Sequence, residues 1–513
     1  MTGVPLPDVI VVGAGGAGAP LATRLAQRGR RVLLLEAGPV PAPHSVRDAS
    51  SLAAAMAGHP LAAVYPGELT SSRPHAVTRG RVAGGSTAIN GGYFRRPRTH
   101  DLDSWAVTAE DDRWSAARTA AVWERIESDR EYGASPGHGD SGPMPVTRGD
   151  LEHPLSAGLV GAGLEAGLPL ELDKNASPDA APGVGPTPTN TLDGERWSTE
   201  RAYLSAAEGG LEVRGGHRVV EVVVSGGRAT GVRALVDNRL ETLQGGLVVL
   251  CAGAIATPHL LMLSGIGPAA ALRDVGLEVV LDAPAVGARL SDHPQLTVQF
   301  RVPRQVSESP VDTPLGVSLH PSSGESRDTG IAVPGDLEVL SFLLPLERML
   351  GVAGNDGRLS LLASPLRGST SGRLLLDPTD ATAPPHVHFH YAESEPDRER
   401  LRAAARFTAG LLESAAMTEL GARAEHPSLA QLDDDELDAW VHDTLSTALH
   451  SCGTTPLGTD PATSVVNGRG AVHGIEGLHV ADVGILPRAP TGGPAATAVL
   501  IGEVIADALT ERR

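Results

Sequence analysis

Short apolar runs recur along the chain at 9–12 (Val-Ile-Val-Val), 32–35 (Val-Leu-Leu-Leu), 219–224, 247–250 and 478–481. Runs of four or so apolar residues, bounded by turn residues, predict strands buried on both faces, as in a parallel sheet. A helical period follows the first run, and another spans Pro396 to Leu420, with Arg398, Glu399, Arg400 and Arg402 on polar positions. A third helical pattern, Leu437 to Leu445, follows Asp433-Asp434-Asp435-Glu436. That acidic run reads as a negatively charged first turn, which the helix dipole favours, rather than as a metal site. The segments 172–192 and 304–337, rich in Pro, Gly, Ser and Asp, read as loops. No internal repeat or coiled coil is visible. Strand-like runs near both ends predict a discontinuous nucleotide-binding domain, with other sequence inserted between its pieces.

The turn after the first run sharpens this picture. Gly13-Ala14-Gly15-Gly16-Ala17-Gly18 has the G-x-G-x-x-G spacing, between a strand and a helix, and the next strand ends in Glu36. Gly13 permits a tight turn, Gly15 lets backbone approach a pyrophosphate, and Gly18 lets the helix pack close to the strand. The helix N-terminus offers free N–H groups to phosphates. Glu36 stands where a carboxylate can accept from ribose hydroxyls. Pro20 is tolerable because the first helical turn has no intrahelical use for its donor. A bound dinucleotide is expected.

Composition narrows the classes. The chain has 513 residues and a net charge of −19, which argues against nucleic-acid binding and against docking on anionic lipid. Two cysteines, Cys251 and Cys452, exclude a disulfide framework. Lys174 is the lone lysine, so most lysine-based catalysis is excluded. No basic and apolar leader precedes the glycine motif and no uncharged apolar run is long enough for a membrane span, so a cytoplasmic protein is expected.

Two further blocks carry a family resemblance. Residues 80–97 read Gly-Arg-Val-Ala-Gly-Gly-Ser-Thr-Ala-Ile-Asn-Gly-Gly-Tyr-Phe-Arg-Arg-Pro, and 253–267 read Gly-Ala-Ile-Ala-Thr-Pro-His-Leu-Leu-Met-Leu-Ser-Gly-Ile-Gly. With the N-terminal motif they resemble the glucose–methanol–choline (GMC) flavoprotein oxidoreductases. Arg196-Trp197-Ser198-Thr199 with Ala202-Tyr203-Leu204, Val286–Pro294, His450–Thr454 and Val480–Pro487 match later family blocks in order. Departures are Ala83 for a larger aliphatic residue, Arg289 for Asn and Gly484 for Ser. The resemblance spans residues 8–510 but is poor from about 300 to 445. It implies an α/β fold: a discontinuous Rossmann-like FAD-binding domain with an inserted α+β substrate domain built on an antiparallel sheet. The expected pieces are 1–150, 196–300 and 446–513 for FAD, with 151–195 connecting into a substrate domain at 301–445.

The resemblance also implies where FAD lies. Gly13, Gly15, Gly18, Glu36 and Ala37 form the first contact region, and Gly84, Gly85, Ser86, Asn90, Gly91 and Gly92 lie along the flavin and pyrophosphate. Val219 matches a backbone contact to adenine, while Asp482, Pro494, Ala495 and Thr497 match positions near the pyrophosphate, ribityl chain and pyrimidine edge. Some family members attach the flavin through a histidine in the second block. Ile89 stands there here, so non-covalent FAD is expected.

Oxidation of an alcohol by flavin needs a hydride acceptor and a base, and histidine titrates near neutrality. Of eighteen histidines, His450 matches the family's catalytic position. Gly493 falls where the family places a second His or Asn, so a single side-chain base is expected. His386, His388 and His390 would share one strand face; a polar face is preferred to a metal site, and no metal is expected. Cys452 is read as a small buried filler. The small C-terminal residues and Gly493 resemble the mycofactocin-associated dehydrogenases of the family. The expected activity is therefore hydride transfer from an alcohol CH–OH group to FAD. Reduced mycofactocin is a candidate donor and a quinone or respiratory component the acceptor, which would permit peripheral association with the inner face of the membrane. A flavin-dependent hydroxynitrile lyase and a flavin-binding protein of impaired catalysis remain alternatives, as does a nicotinamide-only dehydrogenase, for which the second and third glycine blocks would have no use.

Overall fold

The computed structural model describes residues 6–176, 181–205, 209–324, 334–352, 357–368, 372–426 and 429–511. Its centre is a five-stranded parallel sheet in the order Leu211–Arg214, Val32–Leu35, Val9–Val12, Leu247–Leu250, Leu478–Val480. Val9–Val12 and Val32–Leu35 are buried at every position, which is why they read as unbroken apolar runs. Helix Gly18–Gln27 covers one face and packs against the last helix, Ala495–Thr510. The sheet thus draws strands from both ends of the chain, as a discontinuous nucleotide-binding fold requires. Leu211–Arg214 has only partial burial and no continuous apolar run, and was not anticipated.

The run at 219–224 does form a strand, Arg218–Ser225, but in a separate antiparallel sheet with Arg228–Val236 and Arg239–Gln244. Its two turns, Gly226-Gly227 and Asp237-Asn238, all have positive φ. That is what two-residue turns of the I′ type demand.

A seven-stranded antiparallel sheet forms the second layer. Its path runs Arg423–Ala424, Pro294–Arg301, Leu359–Pro365, Leu337–Phe342, Leu315–Leu319, Val184–Pro186, with Ser446–Thr447 pairing alongside Pro294–Arg301. Helix Glu395–Glu413 packs on it. Each sheet has its own apolar core. The segments 172–192 and 304–337 are not simply the loops expected. Val184–Pro186, Pro188–Thr189, Thr191–Leu192 and Leu315–Leu319 are paired strands, and Arg304–Ser307 is a helical turn. Residues 177–180 and 325–333 of those segments lie outside the described residues. The single helix expected over 396–420 is two, because the Ser414 hydroxyl caps a new start at Ala415–Glu419 by accepting from Met417 N. Asp433 and Glu436 form a capping box ahead of helix Asp434–Thr444, so the acidic run is indeed a helix start. No described helix is long and apolar enough to cross a membrane.

Candidate active site

Three glycines of the first turn differ in what enforces them. A Cβ on Gly13, where φ is 101°, would stand 2.6 Å from the Cys251 carbonyl oxygen, and one on Gly18 would stand 1.9 Å from the Gly13 oxygen. Protein backbone alone therefore demands glycine at both. A Cβ on Gly15 would meet nothing nearer than Gly85 Cα at 3.8 Å. The protein leaves that space open, which fits a ligand approaching there.

The second block folds against this turn. A Cβ on Gly85 would lie 2.8 Å from Gly15 Cα, and Gly84 N donates to the Ala14 carbonyl at 2.8 Å. Thr199 Oγ1 donates to the Gly15 carbonyl at 3.2 Å and meets Thr87 Oγ1 at 3.1 Å. A Cβ on Gly16 would touch Ala498 of the last helix at 3.0 Å. Residues remote in sequence thus converge on one cradle. Thr497 adds a fully buried hydroxyl with no hydrogen-bond partner, in the first turn of helix Ala495–Thr510, which follows Pro494. An orphan donor beside helix N–H groups suits the polar edge of a flavin.

Other expected cofactor positions brace the cradle. Glu36 is buried, and its carboxylate accepts from Ala14 N at 3.0 Å and Gly38 N at 2.8 Å. Burial pushes its pKa up against those donors. Ala37 beside it is exposed. His217 N donates to the Glu36 carbonyl at 2.8 Å, which brings half-buried Val219 to the same end of the sheet. Ser86 Oγ accepts from Gly80 N, and Asn90 Oδ1 accepts from Gly92 N at 3.1 Å, beside Gly91. Asp482 holds Gly253 N, the Thr257 hydroxyl and Gly484 N, and burial raises its pKa. Arg196 is a brace whose role the sequence did not reveal. It donates to the carbonyls of Asn90, Val46 and Ser51, and burial lowers its pKa to about 10.

His450 follows Leu449, whose φ is 61°. Asp292 fixes the turn: its carboxylate accepts from His450 N at 2.9 Å, Ser451 Oγ at 2.6 Å, Thr447 Oγ1 at 3.2 Å and His293 N at 2.7 Å. His450 Nδ1 lies 2.9 Å from His293 Nδ1, with the rings edge to face. Burial, then His293 and Arg79, hold the His450 pKa well below the usual histidine value. Its Nε2 lies 3.5 Å from where a Gly493 Cβ would be. Gly493 therefore does stand opposite His450, and its missing side chain is replaced by Tyr93, whose Cδ1 is 2.9 Å from the same point. The Tyr93 hydroxyl turns away, donating to Glu338 Oε2 at 2.6 Å. Tyr93, His293 and Glu338 were not singled out from sequence, although Tyr93 and His293 lie inside matched blocks.

His386, His388 and His390 do stack on one face, with ring centroids 6.4 and 6.0 Å apart. Each faces a carboxylate, of Asp377, Glu68 and Glu393 respectively. Cys452 is buried with its pKa raised by desolvation, so it is a neutral thiol.

Two family models, both described as GMC oxidoreductase, match residues 8–295 and 368–502. A GMC-type oxidoreductase from Rhodococcus erythropolis is 35% identical over 98% of each chain. An oxygen-dependent choline dehydrogenase from Klebsiella pneumoniae is 33% identical, covering 99% of this chain and 96% of its own. The crystal structure of pyridoxine 4-oxidase from Mesorbium loti superposes with a TM-score of 0.87 at 26% identity, over 98% of both chains. The chain belongs to the GMC oxidoreductases, and its cofactor is FAD.

Proposed function

We propose that the protein oxidises the CH–OH group of an alcohol, with His450 as the base that removes the hydroxyl proton. The observation that carries this is the placement of His450 Nε2, half-buried and facing the space beside Gly493 and Tyr93. Bound FAD supplies the hydride acceptor. His450 must hold its lone pair on Nε2, so Nδ1 carries the proton and donates to His293 Nδ1 at 2.9 Å. Asp292 fixes the turn on which both rings stand. The Tyr93 ring fills the opposite wall and excludes water, which strengthens electrostatic interactions at the reacting centre.

The cradle of Gly13, Gly15, Gly18, Gly84 and Gly85, with Thr497 and the last helix, would hold the cofactor, and Glu36 and Asp482 would fix its walls. Ile89 is buried and offers no nucleophile, which supports non-covalent binding. We read the enzyme as a dehydrogenase with a quinone or respiratory acceptor, and reduced mycofactocin belongs among the donors to be tried.

The test is anaerobic reduction of the visible flavin spectrum by a panel of alcohols. The wild-type flavin is expected to bleach. His450→Ala is expected to keep its flavin bands and to lose about a hundred- to ten-thousand-fold in reduction rate, the usual contribution of a positioned base. Unchanged bleaching in His450→Ala would remove the histidine from the mechanism.

A further inference from the structure

Strand Leu337–Phe342 of the antiparallel sheet is buried at all six positions, and Glu338 is its one ionisable residue. A carboxylate in such a place is costly unless its oxygens are used. Glu338 Oε2 accepts from the Tyr93 hydroxyl at 2.6 Å and lies 3.2 Å from His320 Nε2. Arg95 is itself buried against the His320 ring. Burial raises the Glu338 pKa, and the Tyr93 hydroxyl and the charges of Arg95 and Lys174 oppose that rise. Glu338 is thus a buried acid whose charge is compensated from within the protein. The group it fixes outside that charged cluster is Tyr93.

The other end of Tyr93 stands at the candidate site. Its Cδ1 and Cε1 are 2.9 and 3.4 Å from the position of a Gly493 Cβ, and His450 Nε2 is 3.5 Å from the same point. An alcohol hydroxyl that a base serves lies ~3 Å from it. The carbinol carbon is one bond further, so that carbon and its substituents share this space with the Tyr93 ring. The ring also packs in an apolar cluster with Leu52, Leu340, Phe342 and Leu362. Packing confines the ring, and the hydroxyl bond to Glu338 fixes its direction.

We propose that Glu338 is a positioning residue for the reaction: it holds the Tyr93 ring against Gly493, and the ring takes the room of a second substituent on the carbinol carbon, so that the substrate class is primary alcohols. This rests on the reading of His450 as base. A strand of the substrate sheet thereby sets the wall opposite the base without touching the substrate.

The experiment measures anaerobic flavin reduction of the holoenzyme by benzyl alcohol and by 1-phenylethanol, which differ by one methyl group on the carbinol carbon, or by the matching pair of whichever alcohol bleaches the flavin. The proteins are wild type, Glu338→Gln, Glu338→Leu, Tyr93→Phe and the double variant Tyr93→Phe with Glu338→Leu. Wild type should prefer the primary alcohol in kcat/KM by about ten- to two-hundred-fold, the usual worth of one methyl group in a fitted site. Glu338→Leu and Tyr93→Phe should each lower that preference about tenfold. Glu338→Gln should keep most of it, because an amide oxygen still accepts from the hydroxyl. The double variant should match either single one, since Glu338 acts through that hydroxyl. An equal loss on both alcohols, additive losses of preference, or a wild type that favours the secondary alcohol overturns the proposal. If Glu338→Leu fails to fold, Tyr93→Phe decides, and an unchanged preference there overturns it. A second arm needs no turnover. Gly493→Ala puts a carbon 2.9 Å from Tyr93 Cδ1 and should lower the melting temperature. In the Tyr93→Phe background that loss should fall by about half, because an untethered ring gives way. Equal losses in the two backgrounds overturn the proposal. If no alcohol bleaches the flavin, the alcohol-oxidation reading fails instead, and the Gly493→Ala arm alone decides whether Glu338 holds the ring.

Discussion

A histidine that acts as a base must be neutral before the alcohol arrives, and the surroundings of His450 enforce that. Burial, the His293 ring and the Arg79 charge all lower its pKa well below 6.5. The neutral form is therefore complete at pH 6.5 and above, and activity is lost only as pH falls through the lowered value. The kcat/KM profile should be flat from pH 6.5 into the weakly alkaline range, with one acid limb below it. An inflection at or above 6.5 would contradict this environment. Gly493 is tied to Tyr93 in the same way. A side chain at 493 would start 2.9 Å from the Tyr93 ring, so Gly493→Asn should destabilise the holoenzyme by about 1–3 kcal/mol, the usual cost of overpacking. Adding Tyr93→Ala should recover most of that loss in a thermal-melt double-mutant cycle. His450 was legible because it lies in a matched block, and the glycine at 493 because it closely follows one. The ring that fills the vacancy comes from the other end of the chain, and no local pattern links the two.

Among elements, the parallel strands were the most legible because burial on both faces leaves an unbroken apolar signature. The short strands between 184 and 192 were illegible because neighbouring strands, not their own side chains, make them extended. Also unseen was an ion network joining strands Glu127–Asp129 and Met144–Arg148 through His138. His138 contacts Glu127 at 2.9 Å, Asp129 at 3.4 Å and Asp173 at 3.0 Å. Arg96 and Arg148 complete it. Glu127, Asp129 and His138 are close enough to hold a cation, but Arg96 and Arg148 already pair with the two carboxylates. Burial lowers the His138 pKa, yet the three acids raise it overall to about 10. Its stabilising effect is thus fully present below pH 6.5 and lost as pH rises through about 10. His138→Gln removes a buried partner and should cost about 3–5 kcal/mol in urea unfolding near neutral pH. A change within experimental error would mean that the network is solvated.

At the scale of the whole molecule, the cradle proposed for FAD is assembled from the first turn, the 84–87 loop, Thr199 and the last helix. Two substitutions there should separate folding from binding. Gly15→Ala meets no protein atom closer than 3.8 Å, so the apoprotein should melt as wild type. Its FAD affinity should fall about tenfold, equivalent to one lost hydrogen bond to a charged group. Gly18→Ala places a carbon 1.9 Å from the Gly13 oxygen and should fail to fold, which soluble yield and far-ultraviolet dichroism report. A Gly15→Ala protein that folds and fills with FAD like wild type would show that the open space has no part in binding. By itself, the sequence determined the buried strands, the glycine turns, the capped helix starts and the block order that names the family. Each depends on short-range geometry: strand period, positive φ, a cap within one turn. Only the tertiary structure decided that Tyr93 faces Gly493, that His293 touches His450, and that Arg95 is buried against His320. Those are contacts between segments remote along the chain, set by how two sheets pack, and a periodic pattern carries no record of which of its faces will meet.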